Sequence, residues 1–211
     1  MRDVGSWIVN AIFPRFCVSC EAEGDVLCRA CHARWRPVAP MVYDRTFSFF
    51  SYADPIIQKL LHAWKYEYDL RAWHFLRKEM EERMTYLQVW VQRVQADVLV
   101  PVPLYYVKRN ERGFDQAEEL AHVFSALCNI PVARMLVRYR STKPQAHKTK
   151  EERLMSYMRN PFMRRSRIPV SPKHRVLLVD DVFTTGSTMI ATEMALSEEV
   201  VGYVVMATGG Q

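Results

Sequence analysis

The chain has 211 residues, 49% hydrophobic and 25% charged, with a formal net charge of +6 at pH 7. That length allows one full domain with an accessory piece and excludes two full-sized domains, and the composition excludes extensive disorder. The longest apolar runs, residues 176–179 and 200–207, are far shorter than the roughly 20 residues of a membrane-spanning helix, and no signal-peptide layout is present, so the cytoplasm is the expected compartment.

In chain order, Trp7, Ile8, Ala11, Ile12 and Phe13 predict a short helix that packs on the next segment, with a membrane-surface role as the competing reading. Cys17, Cys20, Cys28 and Cys31 then follow with C-x2-C-x7-C-x2-C spacing. Two such pairs can present four thiolates tetrahedrally to zinc. Two disulfides are disfavoured by a reducing compartment, and a redox role by the presence of two matched pairs. With all four positions filled by protein, the metal is structural. His32 could replace one cysteine, Arg15, Arg29, Arg34 and Arg36 leave room for a nucleic-acid contact, and Cys128 reads as a buried helix residue. Pro37 and Pro40 end this segment, dividing the chain into a zinc module with its leading helix, 1–40, and an α/β domain, 41–211.

Residues 42–52 are rich in aromatic and β-branched types and read as one strand. Pro55 opens a helix carrying Ile56, Leu60, Leu61 and Trp64, and a second helix after Asp69 carries Leu70, Trp73, Leu76, Met80 and Met84. A short buried strand runs from Asp97 into Pro101-Val102-Pro103-Leu104, followed by a loop with Lys108, Arg109 and Arg112. Asp115 caps a helix whose apolar face is Ala117, Leu120, Ala121 and Phe124, ending near Asn129. Residues 134–175 form a basic run with only Glu151 and Glu152 as acids, either a solvated face or a polyanion attractor. Residues 176–179 read as a fully buried strand, 188–196 as a helix and 200–206 as the last strand. Strands alternating with helices predict a mostly parallel α/β sheet.

The chemistry concentrates in VLLVDDVFTTGST, residues 176–188. The strand delivers Asp180 and Asp181 to the carboxyl edge of the sheet, where open α/β folds place ligands. Thr184, Thr185, Gly186, Ser187 and Thr188 then turn into a helix whose amides and hydroxyls can surround a phosphate. Two carboxylates beside a phosphate need another task, such as gripping vicinal hydroxyls or holding magnesium. A phosphorylated ribose meets both needs. A helix-capping turn is the bland alternative.

This segment resembles the motif of type I phosphoribosyltransferases that binds 5-phosphoribosyl-1-pyrophosphate (PRPP). Ile12-Phe13-Pro14, Trp64-Lys65-Tyr66, Pro101-Val102-Pro103-Leu104, Arg112-Gly113-Phe114-Asp115-Gln116-Ala117 and Arg140-Ser141-Thr142-Lys143-Pro144-Gln145 also occur in the order seen in the ComF family. The resemblance covers nearly the whole chain. It implies Asp180 and Asp181 as catalytic contacts to the ribose hydroxyls, and Thr184–Thr188 as the seat of the 5-phosphate. It also implies magnesium with PRPP, and a role in DNA uptake during competence, with single-stranded DNA and the uptake machinery as partners. With PRPP as ligand, Pro103, Leu104, Lys108, Arg109 and Arg112 are expected at the pyrophosphate, and Arg140, Thr142, Gln145 and Arg153 on a loop closing over the site. The chain departs from the family pattern where Asp115 and Ser156 replace asparagine, and its stretch between the last helix and last strand is short.

Two functions stay open at this stage. One is a phosphoribosyltransferase acting on an unidentified acceptor; the other is a PRPP-binding protein acting on single-stranded DNA, with Tyr105, Tyr106, Phe114, Tyr139 and Tyr157 as stacking platforms or as core. His62, His74, His122 and His147 read as helix or surface residues, and no nucleophile is expected.

Overall fold

The computed structural model describes residues 16–140, 160–165, 171 and 173–209. The helix expected around Trp7, together with Thr142, Gln145, His147, Arg153, Ser156 and Tyr157, lies outside them. The described elements are α1 (Arg29–Arg34), β1 (Met41–Tyr43), β2 (Thr46–Ser51), α2 (Pro55–Tyr66), α3 (Leu70–Glu81), α4 (Met84–Val94), β3 (Val98–Pro101), α5 (Tyr106–Arg112), α6 (Gln116–Cys128), β4 (Leu136–Arg138), β5 (Phe162–Arg164), β6 (Arg175–Phe183), α7 (Ser187–Glu193) and β7 (Glu199–Thr208). Five strands form one sheet in the order β1-β2-β7-β6-β3, parallel except at β1–β2, while β4 and β5 make a separate antiparallel pair. The mostly parallel α/β sheet expected from the sequence is present.

Alternation along the central strands splits the core in two. Leu99, Leu177, Val179, Val204 and Met206 pack with Ile57, Trp64, Leu76, Leu87 and Leu120 from α2, α3, α4 and α6. Val98, Val100, Val176, Leu178 and Val205 pack instead with Met135, Leu136, Phe162 and Met189. Each such side chain contributes roughly 1.5–3 kcal/mol when fully buried. Strands covered on both faces have no polar face to show, which is why 176–179 is uniformly apolar. Helix starts are fixed by aspartates: Asp54 accepts from Ile56 N at 2.8 Å, Asp69 from Arg71 N at 2.9 Å and Asp115 from Ala117 N at 3.2 Å.

Several elements differ from the sequence reading. The strand expected over 42–52 is a hairpin broken at Asp44, whose φ is +51°; both arms share a β-forming composition, which hid the turn. Met84 opens α4 rather than extending α3, and α4 has no side-chain cap to announce it. The residues carrying Lys108, Arg109 and Arg112 form a helix, not a loop, closed by Gly113 in the left-handed region. The strand ending in the acidic pair continues to Phe183, paired with Thr208 of β7, so Asp180 and Asp181 sit within β6. The basic run is also less bare than its local sequence suggests. Arg134 pairs with Glu118, Arg164 with Glu198 at 2.5 Å, and Arg175 donates to Gln95 at 2.7 Å.

Arg45 ties the β1–β2 hairpin to α7 and β7. Its guanidinium donates to Glu193 of α7 at 2.7 and 3.1 Å and to Tyr203 Oη of β7 at 2.8 Å, and Tyr203 donates to Glu193. Gly202 makes this approach possible, since a Cβ there would lie 2.8 Å from both Arg45 O and Trp90 Cη2. Gly202→Ala is expected to destabilise the chain by about 1–3 kcal/mol, the usual cost of overpacking, read as a lowered urea midpoint with an unchanged slope.

Candidate functional site

A cavity of about 190 Å³ opens at the carboxyl ends of β3 and β6, lined by Val102, Pro103, Leu104, Asp115, Gln116, Ala117, Arg138, Asp180, Asp181, Val182 and Thr188. Register explains the meeting: Pro101 of β3 lies beside Val179 of β6, so Val102, just past the end of β3, stands at the height of Asp180 within β6. Asp115 then secures the far wall. One of its oxygens accepts from Leu104 N at 2.8 Å and the other from Ala117 N at 3.2 Å. An asparagine offers only one acceptor oxygen there, so the carboxylate suits this double bridge.

Three carboxylates share this cavity, and their charges interact. Burial holds the Asp180 carboxyl well above the usual range; the Asp181 charge adds to the rise, while the Asp181 N–H bond at 2.8 Å and Lys65 oppose it. Asp115 is raised by burial and by Asp181, against the pull of its two backbone donors and Arg109. Burial lowers Arg138, and the nearby Asp180 partly offsets that.

Lys65 Nζ lies 2.7 Å from Asp181 Oδ2, with side chains only 13% and 18% exposed. Lys65 lies in the Trp64-Lys65-Tyr66 motif, in the last turn of α2, and its neighbour Trp64 stacks at 4.6 Å on Trp73. The pairing of Lys65 with an acid 116 residues away leaves no local signal in the sequence.

The expected site residues are only partly gathered at this cavity. Pro103, Leu104, Asp180, Asp181 and Thr188 line it. Thr184, Thr185, Gly186 and Ser187 form the turn beyond β6, with Gly186 at φ +72° and Thr185 Oγ1 3.0 Å from Ser187 Oγ. Lys108, Arg109 and Arg112 sit on α5 outside this lining. Arg109 borders a smaller neighbouring cleft and pairs with Glu118 at 3.3 Å, and Arg112 lies over the Tyr66 ring at 5.0 Å. Arg140 lies over Tyr139 at 5.3 Å.

The cysteine module is a second candidate centre. The ligand atoms of Cys17, Cys20, Cys28 and Cys31 all lie within 4.8 Å of one another, and Cys20 and Cys28 are 3.7 Å apart. A tetrahedron with bonds of about 2.3 Å has edges of about 3.8 Å, so the four sulfurs can hold a metal ion such as zinc. Burial alone would raise the Cys17 thiol, but backbone N–H groups of Cys28, Cys20 and Ser19, with the Cys20 side chain, bring it down to about 6. Against the Ala22 backbone bond, the neighbouring thiols push Cys20 the other way, up to about 11, so four thiolates this close need a cation among them. His32, considered as a substitute ligand, contacts Glu79 at 3.1 Å instead. Cys128 is half-buried in α6, and burial pushes its thiol up to about 11.

No family model matches the chain. Competence protein F of Haemophilus influenzae is 35% identical over 94 residues, which is 44% of this chain and 41% of that protein, so the match spans less than half of the relative. Competence protein ComFC of Bacillus subtilis is 26% identical over 194 residues, covering 90% of this chain and 75% of that protein. Among solved structures, adenine phosphoribosyltransferase of Leishmania tarentolae superposes with a TM-score of 0.39 at 12% identity, over 81% of this chain and 94% of that one. The adenine phosphoribosyltransferase of Leishmania donovani gives 0.38 at 14% identity, over 79% and 85%. By sequence, this chain is similar to competence protein F and to ComFC, and it has a mixed α/β fold with a mostly parallel sheet.

Proposed function

We propose that the chain binds PRPP with magnesium at the cavity between β3 and β6 and works in DNA uptake, a reading supported by its similarity to two proteins named as competence proteins. The observation that carries this reading is the acidic pair Asp180–Asp181 facing Leu104 and Thr188 across one cavity. Carboxylates suit ribose hydroxyls, the turn from Thr184 to Thr188 suits the 5-phosphate, and the Pro103–Leu104 edge suits the pyrophosphate. Magnesium would neutralise charge on the pyrophosphate, with Asp180 and Asp181 within reach of it directly or through water. Lys65 holds Asp181 in place, and Arg138 supplies positive charge to the same cavity.

Two variants test the acids separately. Calorimetric titration with PRPP and magnesium is expected to give saturable binding for wild type, with Asp181→Asn weakening it at least about tenfold, the scale of one lost charged hydrogen bond. Binding unchanged in both Asp180→Asn and Asp181→Asn would refute the assignment. Asp180→Asn carries a second signature. A folded-state carboxyl raised above its unfolded value costs stability as pH climbs from about 4. The variant should therefore melt above wild type at about pH 8, and the difference should close as pH falls toward about 4.

Action on single-stranded DNA is favoured by a surface beside the cavity. Tyr66 and Tyr106 are 57% and 60% exposed, Arg112 covers Tyr66, and Tyr105 and Tyr106 lie 4.6 Å apart. Phe114 is not part of it, because it stacks on Trp64 at 5.9 Å. Exposed aromatics beside arginine suit stacked bases. A gel shift with single-stranded DNA should show affinity falling steeply with salt; no binding at either low or moderate salt would leave the alternative, a phosphoribosyltransferase without a nucleic-acid role, which pyrophosphate release with a panel of acceptors would reveal.

The cysteine module is proposed to hold one structural zinc. Metal analysis should find about one zinc per chain, and Cys28→Ser should lower both metal content and melting temperature. A metal-free wild-type protein that melts normally would contradict this.

A further inference from the structure

Gln116 is only 2% exposed, and its Nε2 has no hydrogen-bond partner among the described residues. The amide orientation is fixed by chemistry. Arg112 Nη1 lies 3.1 Å from Gln116 Oε1, and a guanidinium can only donate, so the oxygen faces Arg112 and the NH2 group faces elsewhere. Gln116 lines the same cavity as Leu104, Arg138, Asp180 and Asp181. It is the first residue of α6, directly after the Asp115 cap, so its backbone is held by the bridge that fixes Leu104. A buried amide donor left without an acceptor is costly, and in a ligand cavity it marks the place of a ligand oxygen.

We propose that Gln116 is a ligand-binding residue whose Nε2 donates to a pyrophosphate oxygen of the bound sugar phosphate. The cavity has two kinds of wall. Asp180 and Asp181 on β6 are acceptors and suit ring hydroxyls. Gln116 and Arg138 are donors and suit an oxyanion. Gln116 directly follows Asp115, whose carboxylate accepts from Leu104 N, so its amide is assigned to the 1-pyrophosphate end of the ligand at the Pro103–Leu104 edge. Arg112, outside the cavity, acts through Gln116 as a positioning residue.

This inference rests on the sugar-phosphate reading and is separable from it. Wild type, Gln116→Glu and Gln116→Met would be titrated calorimetrically with magnesium pyrophosphate, with PRPP and magnesium, and with ribose 5-phosphate. Gln116→Glu keeps the oxygen that meets Arg112 and replaces only the NH2 group. It should weaken pyrophosphate and PRPP by about thirtyfold or more, and Gln116→Met by about tenfold, with ribose 5-phosphate within about twofold of wild type in both. The melting temperature of Gln116→Met should not fall, whereas Gln116→Glu adds a buried carboxylate beside Asp115, Asp180 and Asp181 and should melt lower above about pH 6. Three results would overturn the inference: wild-type affinity for pyrophosphate in both variants, equal loss of ribose 5-phosphate, or a lowered melting temperature in Gln116→Met. A wild type that binds none of the three ligands would instead sink the sugar-phosphate reading.

Discussion

Two adjacent carboxylates within a central strand are an electrostatic liability, and the site is organised around managing it. Asp180 is raised by burial and by its neighbour, while Asp181 is held by Lys65 at 2.7 Å. The chain keeps both acids in an arrangement that an apolar or amide pair would make more comfortable. Such a cost points to a ligand that uses both, since functional sites are where local rules are broken.

The scaffold explains how the pair is kept in register. β6 is locked between β3 and β7, with apolar layers on each face. Its neighbour β3 releases the Val102–Leu104 edge beside it, and Asp115 ties that edge to the start of α6. On the opposite side, Arg45, Glu193 and Tyr203 bind the β1–β2 hairpin to α7, the helix that follows the Thr184–Gly186 turn. The cysteine module leans on the same frame. Trp35 donates to Asp54 at 2.7 Å, and Asp54 caps α2, whose last turn carries Lys65. One helix therefore runs from the metal-binding segment to the acidic pair.

Much of this was legible in the residues. The uniform run at 176–179 announced a strand buried on both faces, aspartates announced the starts of α2, α3 and α6, and the cysteine spacing announced two chelating pairs. Features set by distance in the chain were not legible. Lys65 meets Asp181, Arg164 meets Glu198 and Arg134 meets Glu118, pairings that no local window contains. For that reason the basic run seemed barer than it is. The hairpin at Asp44 hid because both arms have strand composition, and α5 hid because a short basic helix without buried residues has no apolar stripe. Gln116 lies in the Arg112–Ala117 motif, but the unpartnered state of its Nε2 among the described residues shows only in three dimensions.

The central claim, that Asp180 and Asp181 grip a ribose ring while the opposite wall receives its pyrophosphate, is tested most directly by a crystal structure of the protein grown with PRPP and magnesium. The account predicts density for the sugar within hydrogen-bond distance of both aspartates and for pyrophosphate beside Leu104 and Gln116. Density for the ligand elsewhere, or an ordered cavity holding only water at saturating ligand, would contradict it.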